Sequence, residues 1–566
     1  MRNFLSTLLL CTAVICLADN VRYADLNFSI DRDYLTAEVA KNNLATGEVN
    51  IPDELVVDGE HYTVTGIAED AFTGCKKLNK VTIPGSITRI YRKGFEGSGI
   101  YLNKENWENG LLIVDSCLIG ADKTIKAKVV LDERIRLIAA GAFQGNRVLA
   151  RIELPKTLRR IDHDTFRDCK NLQKCDIPAS VDWIGQDAFT GCGFYNNEKK
   201  WKRGVLYVGD CIIAANKNAS ANFQVKSKVP IRLIAAGAFA GNPSIRQVTL
   251  PEGIKCIPLA AFYKCENLVS IKIPKSVERV EDFAFYGCGA LSQADLPKDL
   301  QHIGSRAFYQ CARLKHVQLN DSIHIIPTAC FYMCQGLKEF SFPKGLRKVS
   351  DGAFAGCNGL NKIDLPEGVK VIGEMAFAGC SEIMQVTLPS SVTHLNKAAF
   401  MGCGLLHNVK VGDGLYAIDD EVFRDCVSLE RITLPYTLFR IGKYAFRNCQ
   451  MLTHLAIPEH VHSLEEGAFA ECKMLLEIQL PEHIETVGAY TFADCLNLRE
   501  VELPAKLKAI ETEAFIGCRQ LRKINFPANL ESIGERAFQE CSALVPPALP
   551  ASVMVGKNAF KYCLTK

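Results

Sequence analysis

A phenylalanine recurs every 23 residues along most of this 566-residue chain, and this period constrains the fold more than any other feature. The spacing is unbroken from Phe239 to Phe538. Six further phenylalanines extend the series to twenty: Phe72, Phe95, Phe143, Phe166, Phe189 and Phe560. A fixed period of about 20–50 residues is the signature of a solenoid, in which each repeat packs against its neighbours. The period therefore predicts an extended binding surface rather than a catalytic pocket.

Each repeat contains two short apolar segments, as residues 354–377 show with the pattern A-F-x-x-C-x-x-L-x-x-I-x-L-P-x-x-V-x-x-I-G. The I-x-L segment alternates apolar and polar residues, which is typical of a half-buried strand. Pro366 ends this strand because proline has no N–H for the ladder. Gly373 is expected to make a tight bend with positive φ, and A-F-x-x-C to make one short helical turn. Stacked repeats of this kind predict a β-rich solenoid of about twenty 23-residue units.

Seventeen of the 24 cysteines lie three residues after a repeat phenylalanine, and the exceptions at this position are Ser98, Asn146 and Asn242. Substitution by asparagine or serine is typical of small side chains that bond to turn backbone, whereas a disulfide needs two cysteines. We therefore expect a buried, reduced cysteine ladder, with isolated bridges between neighbouring repeats as the alternative. The sequence has no C-x-x-C, so it supports neither a zinc ribbon nor a thioredoxin-like motif.

The N-terminal segments differ from the repeats. Residues 1–18 are similar to a secretory signal, because Arg2 precedes a mostly apolar run that ends in the small-residue cleavage site Cys16-Leu17-Ala18. Residues 19–66 alternate enough to form an N-terminal capping hairpin or sheet, which would protect the open edge of the first repeat. The solenoid is assigned to residues 67–566. No later stretch reaches about 18 continuous apolar residues, so a membrane span is not expected.

Two intervals between repeat phenylalanines are long, at about residues 100–135 and 194–230. The first insert begins at Trp107 with W-x-x-G-L-L-I-V-D-S-C-L-I, and the second begins at Trp201 with W-x-x-G-V-L-Y-V-G-D-C-I-I. Trp107 and Trp201 are 94 residues apart, as are Phe95 and Phe189, which indicates that a block of several repeats was duplicated. Each insert predicts a hairpin with a two-residue turn. The hairpins are expected to cover the solenoid as structural flaps or, alternatively, to bind a ligand near Trp107 and Trp201.

The repeat L-x-x-I-x-L-P-x-x-V-x-x-I-G-x-x-A-F-x-x-C resembles the BspA-like leucine-rich repeat family over roughly residues 67–566. The segment V-T-G-I-A-E-D-A-F-T-G-C at residues 64–75 and the W-x-x-G-V-L inserts also resemble family members from gut and oral anaerobic bacteria. The resemblance implies a parallel, right-handed solenoid. It also implies a secreted or surface-exposed protein that acts as an adhesin toward host matrix proteins or other microbes, and it does not identify the ligand.

The sequence offers no chemistry for catalysis. It has no G-x-S-x-G, H-E-x-x-H, P-loop or dinucleotide fingerprint, so we expect no enzyme, no catalytic residue and no cofactor. Its net charge is +3, from 66 basic and 63 acidic side chains, and this balance does not require nucleic acid. The expected function is an exported, extracellular protein that binds protein ligands. The alternative is a structural or scaffold component of the cell envelope without a specific ligand.

The polar face of the first strand in each repeat is the expected binding surface, because the residues eight and ten after each phenylalanine should face solvent. Most of this face is mixed in charge and lacks the aromatic residues of binding hot spots. Glu477, Glu500 and Glu502 lie on two successive repeats, where like charges oppose each other. These carboxylates are either solvated or a landing site for a basic segment of a partner protein.

A histidine cluster is the candidate metal site. Stacking of two successive repeats is expected to place His460 beside His483 and His462 beside Glu485. Three imidazoles and a carboxylate in one small patch are ligands that zinc accepts. The alternative is that these histidines are solvated on a polar strand face.

Overall fold

The computed structural model describes residues 19–225 and 229–564, so the predicted signal at residues 1–18 lies outside the described residues. The chain divides into two compact units, which are described separately below: residues 1–268 with 272–285, and residues 269–271 with 286–566. In the described part of the chain, no helix combines the length and the apolar character needed to cross a membrane.

The first unit begins with strands that pair onto the first repeat. These strands are Asp19–Tyr23, Leu26–Asp31, Thr36–Val39, Gly47–Asn50, Glu54–Val57 and Glu60–Ile67. The strand Glu60–Ile67 pairs in parallel with Arg89–Ile90, and Gly47–Asn50 pairs in parallel with Leu78–Thr82. Both partners are strands of the first repeat, so the edge of that repeat is covered by these pairings.

Each repeat forms one rung, with a first strand on the I-x-L segment and a two-residue second strand before the glycine. The first strands of the first unit are Leu78–Thr82, Lys128–Val130, Arg151–Glu153, Lys174–Asp176, Asn222–Gln224 and Gln247–Thr249. Its second strands are Arg89–Ile90, Leu137–Ile138, Arg160–Ile161, Trp183–Ile184, Leu233–Ile234, Cys256–Ile257 and Arg279–Val280. Its helices are single turns at Arg92–Phe95, Gly99–Leu102, Lys104–Asn106 and Glu198–Lys200. One further strand, Ser270–Lys272, contains residues of both units.

The second unit repeats the same rung without inserts. Its first strands are Gln293–Asp295, His316–Gln318, Glu339–Ser341, Ile363–Asp364, Gln385–Thr387, Asn408–Lys410, Arg431–Thr433, Glu477–Gln479, Glu500–Glu502 and Lys523–Ile524. Its second strands are His302–Ile303, Ile325–Ile326, Lys348–Val349, Val371–Ile372, His394–Leu395, Ala417–Ile418, Arg440–Ile441, Ser463–Leu464, Thr486–Val487, Ala509–Ile510, Ser532–Ile533 and Met554–Val555. Successive strands pair in parallel, as Val371 does with Lys348 and with His394. The predicted β-solenoid is therefore confirmed.

In the second unit the repeat phenylalanines from Phe308 to Phe560 form a stacked column in the core. Phe354, Phe377 and Phe400 are fully buried, and each ring stacks on the next with centroids 5.3 Å apart. The A-F-x-x-C segment around them is a hydrogen-bonded turn and not the expected helical turn. The backbone N–H groups of Gly352, Phe354 and Gly356 donate to carbonyls of the next rung, each at 2.8 Å. Because these bonds run between rungs, the turn side of the unit is also held by a parallel ladder.

The glycine after the second strand has a different role from the one expected. Gly373 does not have a positive φ, whereas Gly352 and Gly356, two residues before and after Phe354, do, as does Gly368. A Cβ atom on Gly373 would lie 2.7 Å from the backbone of Ser350 and Asp351 in the preceding rung. The prediction of a positive-φ bend at Gly373 is therefore wrong, because glycine is needed there for close approach of two rungs.

Gly373→Ala is expected to destabilise the second unit by about 1–3 kcal/mol, because the added methyl group must displace backbone of the neighbouring rung. Gly404→Ala is the matched control, since a Cβ at Gly404 meets nothing within 4 Å and its φ is not positive. The control should be neutral or slightly stabilising. Urea unfolding of both variants measures the difference, and equal midpoints would show that rung spacing does not need glycine at 373.

The cysteine ladder is confirmed as a series of buried thiols. All 22 cysteines in the described ranges are thiols rather than disulfides, and all except Cys256 and Cys563 are buried. In the regular rungs the thiol donates a hydrogen bond to the carbonyl of the repeat phenylalanine one rung earlier. Cys380 bonds to the Phe354 carbonyl at 3.2 Å, and Cys403 to the Phe377 carbonyl at 3.3 Å. Each thiol therefore ties two rungs together without a covalent bridge.

The two asparagines of the ladder follow the two inserts. The Asn146 amide donates to the Asp122 carbonyl at 2.9 Å, and the Asn242 amide donates to the Asn216 carbonyl at 2.8 Å. Each amide oxygen also accepts a backbone N–H two residues later in its own turn. An asparagine can donate and accept at once, so it joins a regular rung to an insert that has no repeat phenylalanine. Ser98 instead accepts the N–H of Tyr101 and caps the short helix Gly99–Leu102.

Each insert is a three-stranded antiparallel meander whose last strand joins the stack. The strands of the first insert are Trp107–Glu108, Leu111–Val114 and Cys117–Ala121, and those of the second are Trp201–Lys202, Val205–Val208 and Cys211–Ala215. The predicted two-residue turns are present, because Val114 opposes Cys117 and Val208 opposes Cys211. The last strand of each insert pairs in parallel with the second strand Leu137–Ile138 or Leu233–Ile234. The last strand of each insert therefore takes the place of a rung strand and is part of the stack rather than a flap over it.

Candidate binding surfaces

The first strands of the second unit expose two side chains each, in columns, except that Glu500 is half-buried. Along His316–Gln318, Glu339–Ser341 and Gln385–Thr387 the outer two residues are exposed and the middle residue is buried. The columns are continuous because the strands are in register, with Asn408 opposite both Gln385 and Arg431. The predicted solvent-facing positions are confirmed, and they make a polar surface of mixed charge.

The acidic residues of this face lie in the predicted columns, but one of them is neutralised. Glu477 is directly opposite Glu500, and Gln479 is opposite Glu502. The next residue in the column of Glu500 is Lys523, and the two side chains form an ion pair. The hydrogen bond from Lys523 to Glu500 raises the pKa of Lys523, and the charge of Glu500 adds to the effect. The exposed negative charge of this patch therefore comes mainly from Glu477 and Glu502.

The histidines pair differently from the prediction. The His462 ring stacks on the His483 ring with centroids 4.3 Å apart, and Nδ1 of His462 lies 2.7 Å from the His460 carbonyl oxygen. The His462 ring is therefore directed toward His483 rather than toward Glu485, and the pairing of His460 with His483 stays a prediction. Offset ring stacking favours this arrangement, and the His462 ring also stacks on Phe439, with ring centroids 4.5 Å apart.

Glu485, the carboxylate of the predicted metal cluster, forms an ion pair with a lysine. Lys508 donates to Glu485 at 2.7 Å, and this hydrogen bond lowers the pKa of Glu485. His462, His483 and Glu485 border a groove of about 650 Å³, but within the described ranges no group of three or more His, Cys, Asp or Glu residues is arranged to hold a metal ion. The geometry instead gives an exposed aromatic column that begins at Tyr416, which is 58% exposed.

The two insert tryptophans have equivalent structural contacts. The Trp107 indole N–H donates to the Tyr101 carbonyl at 2.9 Å, and the two rings pack edge to face at 5.3 Å. The Trp201 indole makes the same hydrogen bond to Tyr195 at 2.8 Å, with ring centroids 5.2 Å apart. Both tryptophans are half-buried, so each presents only part of its ring to a ligand.

Three tyrosines stack on the turn side of the second unit, away from the strand face that was predicted to bind. The Tyr286 and Tyr309 rings are 4.5 Å apart, and the Tyr309 and Tyr332 rings are 4.7 Å apart, in nearly parallel planes. Tyr332 also belongs to a small apolar cluster with Ala355 and Ala378. The sequence signal was available, because these tyrosines all directly follow a repeat phenylalanine.

Comparison with known proteins identifies a family model that matches this chain. A model of the BspA type leucine rich repeat region matches the chain in six copies, which together cover residues 60–118, 122–227, 232–357, 324–453 and 439–566. No curated protein matches this chain.

Solved bacterial structures show likenesses at low identity. A leucine-rich repeat protein from Bacteroides ovatus is 21% identical, with 92% of each chain covered and a TM-score of 0.32. A leucine rich cell surface protein from Faecalibacterium prausnitzii is 17% identical over 90% of this chain and 94% of that chain, with a TM-score of 0.23. The pneumococcal vaccine antigen PcpA is 17% identical over 79% of this chain and 93% of that chain, with a TM-score of 0.23. Because the repeat model matches most of the sequence, this chain belongs to the BspA type leucine-rich repeat family.

Proposed function

We propose that this chain is an exported repeat protein that binds protein ligands at a cell surface, as an adhesin toward host matrix or other microbial surfaces. The observation that carries the proposal is the strand face of the second unit, where exposed polar side chains form columns in register over successive rungs. Solenoids use extended surfaces of this kind to bind partners. Membership of a leucine-rich repeat family supports the same role, since these repeats are protein-binding scaffolds.

The experiment that tests this function is a pull-down with the protein lacking residues 1–18, from host extracellular matrix and from surface extracts of co-resident bacteria. Saturable capture of a specific protein supports the adhesin role. The second candidate function is a structural component of the cell envelope without a specific ligand, and it has the regularity of the rungs in its favour. Absence of any saturable partner, together with retention of the protein in the envelope fraction, would favour that alternative.

The acidic patch is the proposed landing site for a basic segment of the partner. Because Glu500 already pairs with Lys523, the sharpest variant is Glu477→Gln with Glu502→Gln, which removes the two carboxylates without breaking that ion pair. We expect a several-fold lower association rate for an oligolysine probe and for a captured basic partner at low salt, with the difference vanishing at high salt.

The control for this variant is Glu339→Gln with Glu430→Gln, which removes the same charge from exposed residues elsewhere in the second unit. Stopped-flow association over a range of ionic strength measures both variants. Equal rates for the two variants at low salt would remove the acidic patch from the proposal. The contact region would then be sought at the exposed edges of Trp107 and Trp201.

A further inference from the structure

A small cavity lies beside the second insert, within the first unit, and its volume is about 190 Å³. Small residues, including Ala214 and Ala215, line one side of it. Gln186, Asp187 and Tyr195 also line the cavity. This volume is below the roughly 300–1,000 Å³ of sites for drug-sized ligands, so the cavity suits a single side chain.

The equivalent place beside the first insert is filled by an arginine. A shift of 94 residues relates Gln186 to Arg92 and Tyr195 to Tyr101. The Arg92 guanidinium donates to the Tyr101 hydroxyl at 3.1 Å. The Arg92 side chain also lies over Gly120, with its Cγ, Cδ and Nε atoms 3.6–3.8 Å from the position that a Cβ of Gly120 would take.

The exposure of the two inserts reflects this difference. Gly120 and Ala121 are buried beneath Arg92, whereas the equivalent Ala214 and Ala215 are half-exposed. Gln186 is itself exposed and leaves the space open. The duplicated block therefore contains the same receptacle twice, once occupied by a side chain of this chain and once vacant.

The charge beside the receptacle is also reversed between the two copies. Lys93 follows Arg92 in the first copy, whereas Asp187 follows Gln186 in the second. The Asp187 carboxylate accepts a hydrogen bond from the Thr190 hydroxyl at 2.8 Å. Its other oxygen is 3.8 Å from the guanidinium of Arg167, and that guanidinium bonds more closely to Asp164, at 3.0 Å. Asp187 thus keeps capacity to accept a further charge-assisted hydrogen bond.

The tyrosine of the vacant copy is suited to the same role as Tyr101. Burial raises the pKa of Tyr195, while a hydrogen bond with Thr190 works in the opposite direction. The phenol therefore stays protonated at neutral pH and offers its oxygen lone pairs to a donor.

We propose that the cavity bounded by Gln186, Asp187 and Tyr195 binds an arginine side chain of a partner protein. The guanidinium would donate to the Tyr195 hydroxyl as Arg92 does to Tyr101, and to the Asp187 carboxylate. Arginine is favoured over lysine because its planar group has five N–H donors that reach two acceptors at once. This inference deepens the proposed protein-binding function and rests on it, since it names the side chain that a ligand presents to the first unit.

Titration of the full chain with N-acetyl-arginine amide tests the proposal, with N-acetyl-lysine amide and N-acetyl-citrulline amide as comparators. We expect one site for the arginine amide and at least tenfold weaker binding of the neutral citrulline amide, because the charge-assisted bond to Asp187 is lost. Binding of the citrulline amide with equal strength, or no binding of the arginine amide, would overturn the proposal.

Two variants close or weaken the site. Gln186→Arg supplies the internal arginine of the first copy and should abolish binding, while Asp187→Asn should weaken it about tenfold. The added arginine should fit beside Ala214. A Cβ atom added to the equivalent Gly120 would lie at van der Waals distance from Arg92. Equal thermal unfolding of the variants and the wild type checks the fold. Undiminished binding by folded Gln186→Arg would overturn the proposal.

A gain of binding is the converse test. Arg92→Gln with Lys93→Asp gives the first copy the residues of the second at these two positions, so the stoichiometry for N-acetyl-arginine amide should rise from one to two. A stoichiometry that stays at one in the folded variant would overturn the assignment. The matrix pull-down can separate this inference from the proposed function. If wild type and Gln186→Arg capture the same specific partner equally well, the protein-binding function is supported and the arginine site is not.

Discussion

Replacing Phe377 by alanine is expected to destabilise its part of the second unit by about 3–5 kcal/mol. The ring is fully buried and is stacked between Phe354 and Phe400 at 5.3 Å on both sides. Its removal leaves a cavity at the centre of the column, and the neighbouring rings are fixed by their own backbones and cannot fill it. Because each rung packs against its neighbours, the loss should open nearby rungs first and leave distant rungs protected.

Hydrogen exchange resolved by mass spectrometry measures this effect rung by rung. The largest increase in exchange should lie around residues 350–405 and decline along the chain in both directions. Phe439→Ala is the control, because Phe439 stacks on Tyr416 in a half-exposed outer column and its loss leaves no central cavity. A uniform increase across all rungs would show that the unit unfolds as a single cooperative body instead.

Native protein is expected to resist alkylation at nearly all ladder cysteines, and the denatured protein, without any reductant, should react at most of them. The reagent attacks the thiolate, and burial raises the pKa of Cys472 to about 12 and shields its sulfur. At pH 8 such a thiol is almost entirely protonated. Mass spectrometry of native and denatured samples counts the labelled cysteines, and a majority found as disulfides would refute the thiol ladder.

The same burial predicts a loss of stability at alkaline pH. The folded pKa of Cys472 is raised above its ordinary value, so the folded state holds this proton more tightly than the unfolded chain does. Its contribution to stability is complete below pH about 8.5 and is lost as the pH rises toward about 12. Thermal unfolding between pH 7 and 10 should show this decline. Cys472→Ala should show a shallower decline than wild type, because it has one ladder thiol fewer.

The sequence was sufficient for the repeat and its core because each feature recurs in register. A buried phenylalanine every 23 residues and an alternating I-x-L segment predict one regular arrangement, a stack of β-strand rungs with the phenylalanines in the core. The structure has this arrangement. The role of Gly373, in contrast to the repeat and its core, could not be predicted from the sequence. Sequence alone does not distinguish a glycine required for positive φ from one required by a neighbouring backbone, and only the spacing of two rungs decides between them.

The surface sites were less predictable because they depend on side-chain conformation. The backbone register places His462 one rung before Glu485, but ring stacking brings His462 onto His483 and leaves Glu485 to Lys508. The cavity beside the second insert was missed for another reason. Its signal is a difference between two copies, Arg92 against Gln186, and it appears only when the duplicated blocks are compared position by position.

The ladder of thiols has a consequence for how this chain can change in length during evolution. A cysteine in a run of regular rungs finds its acceptor on the repeat phenylalanine of the rung before it, as Cys380 does on Phe354 and Cys403 does on Phe377. If recombination adds or deletes whole 23-residue units within such a run, each cysteine thiol still has a phenylalanine carbonyl of the preceding rung as its acceptor. Asn146 and Asn242 are matched instead to carbonyls of the inserts. Each insert and the asparagine that follows it must therefore be inherited together, whereas the regular rungs are exchangeable.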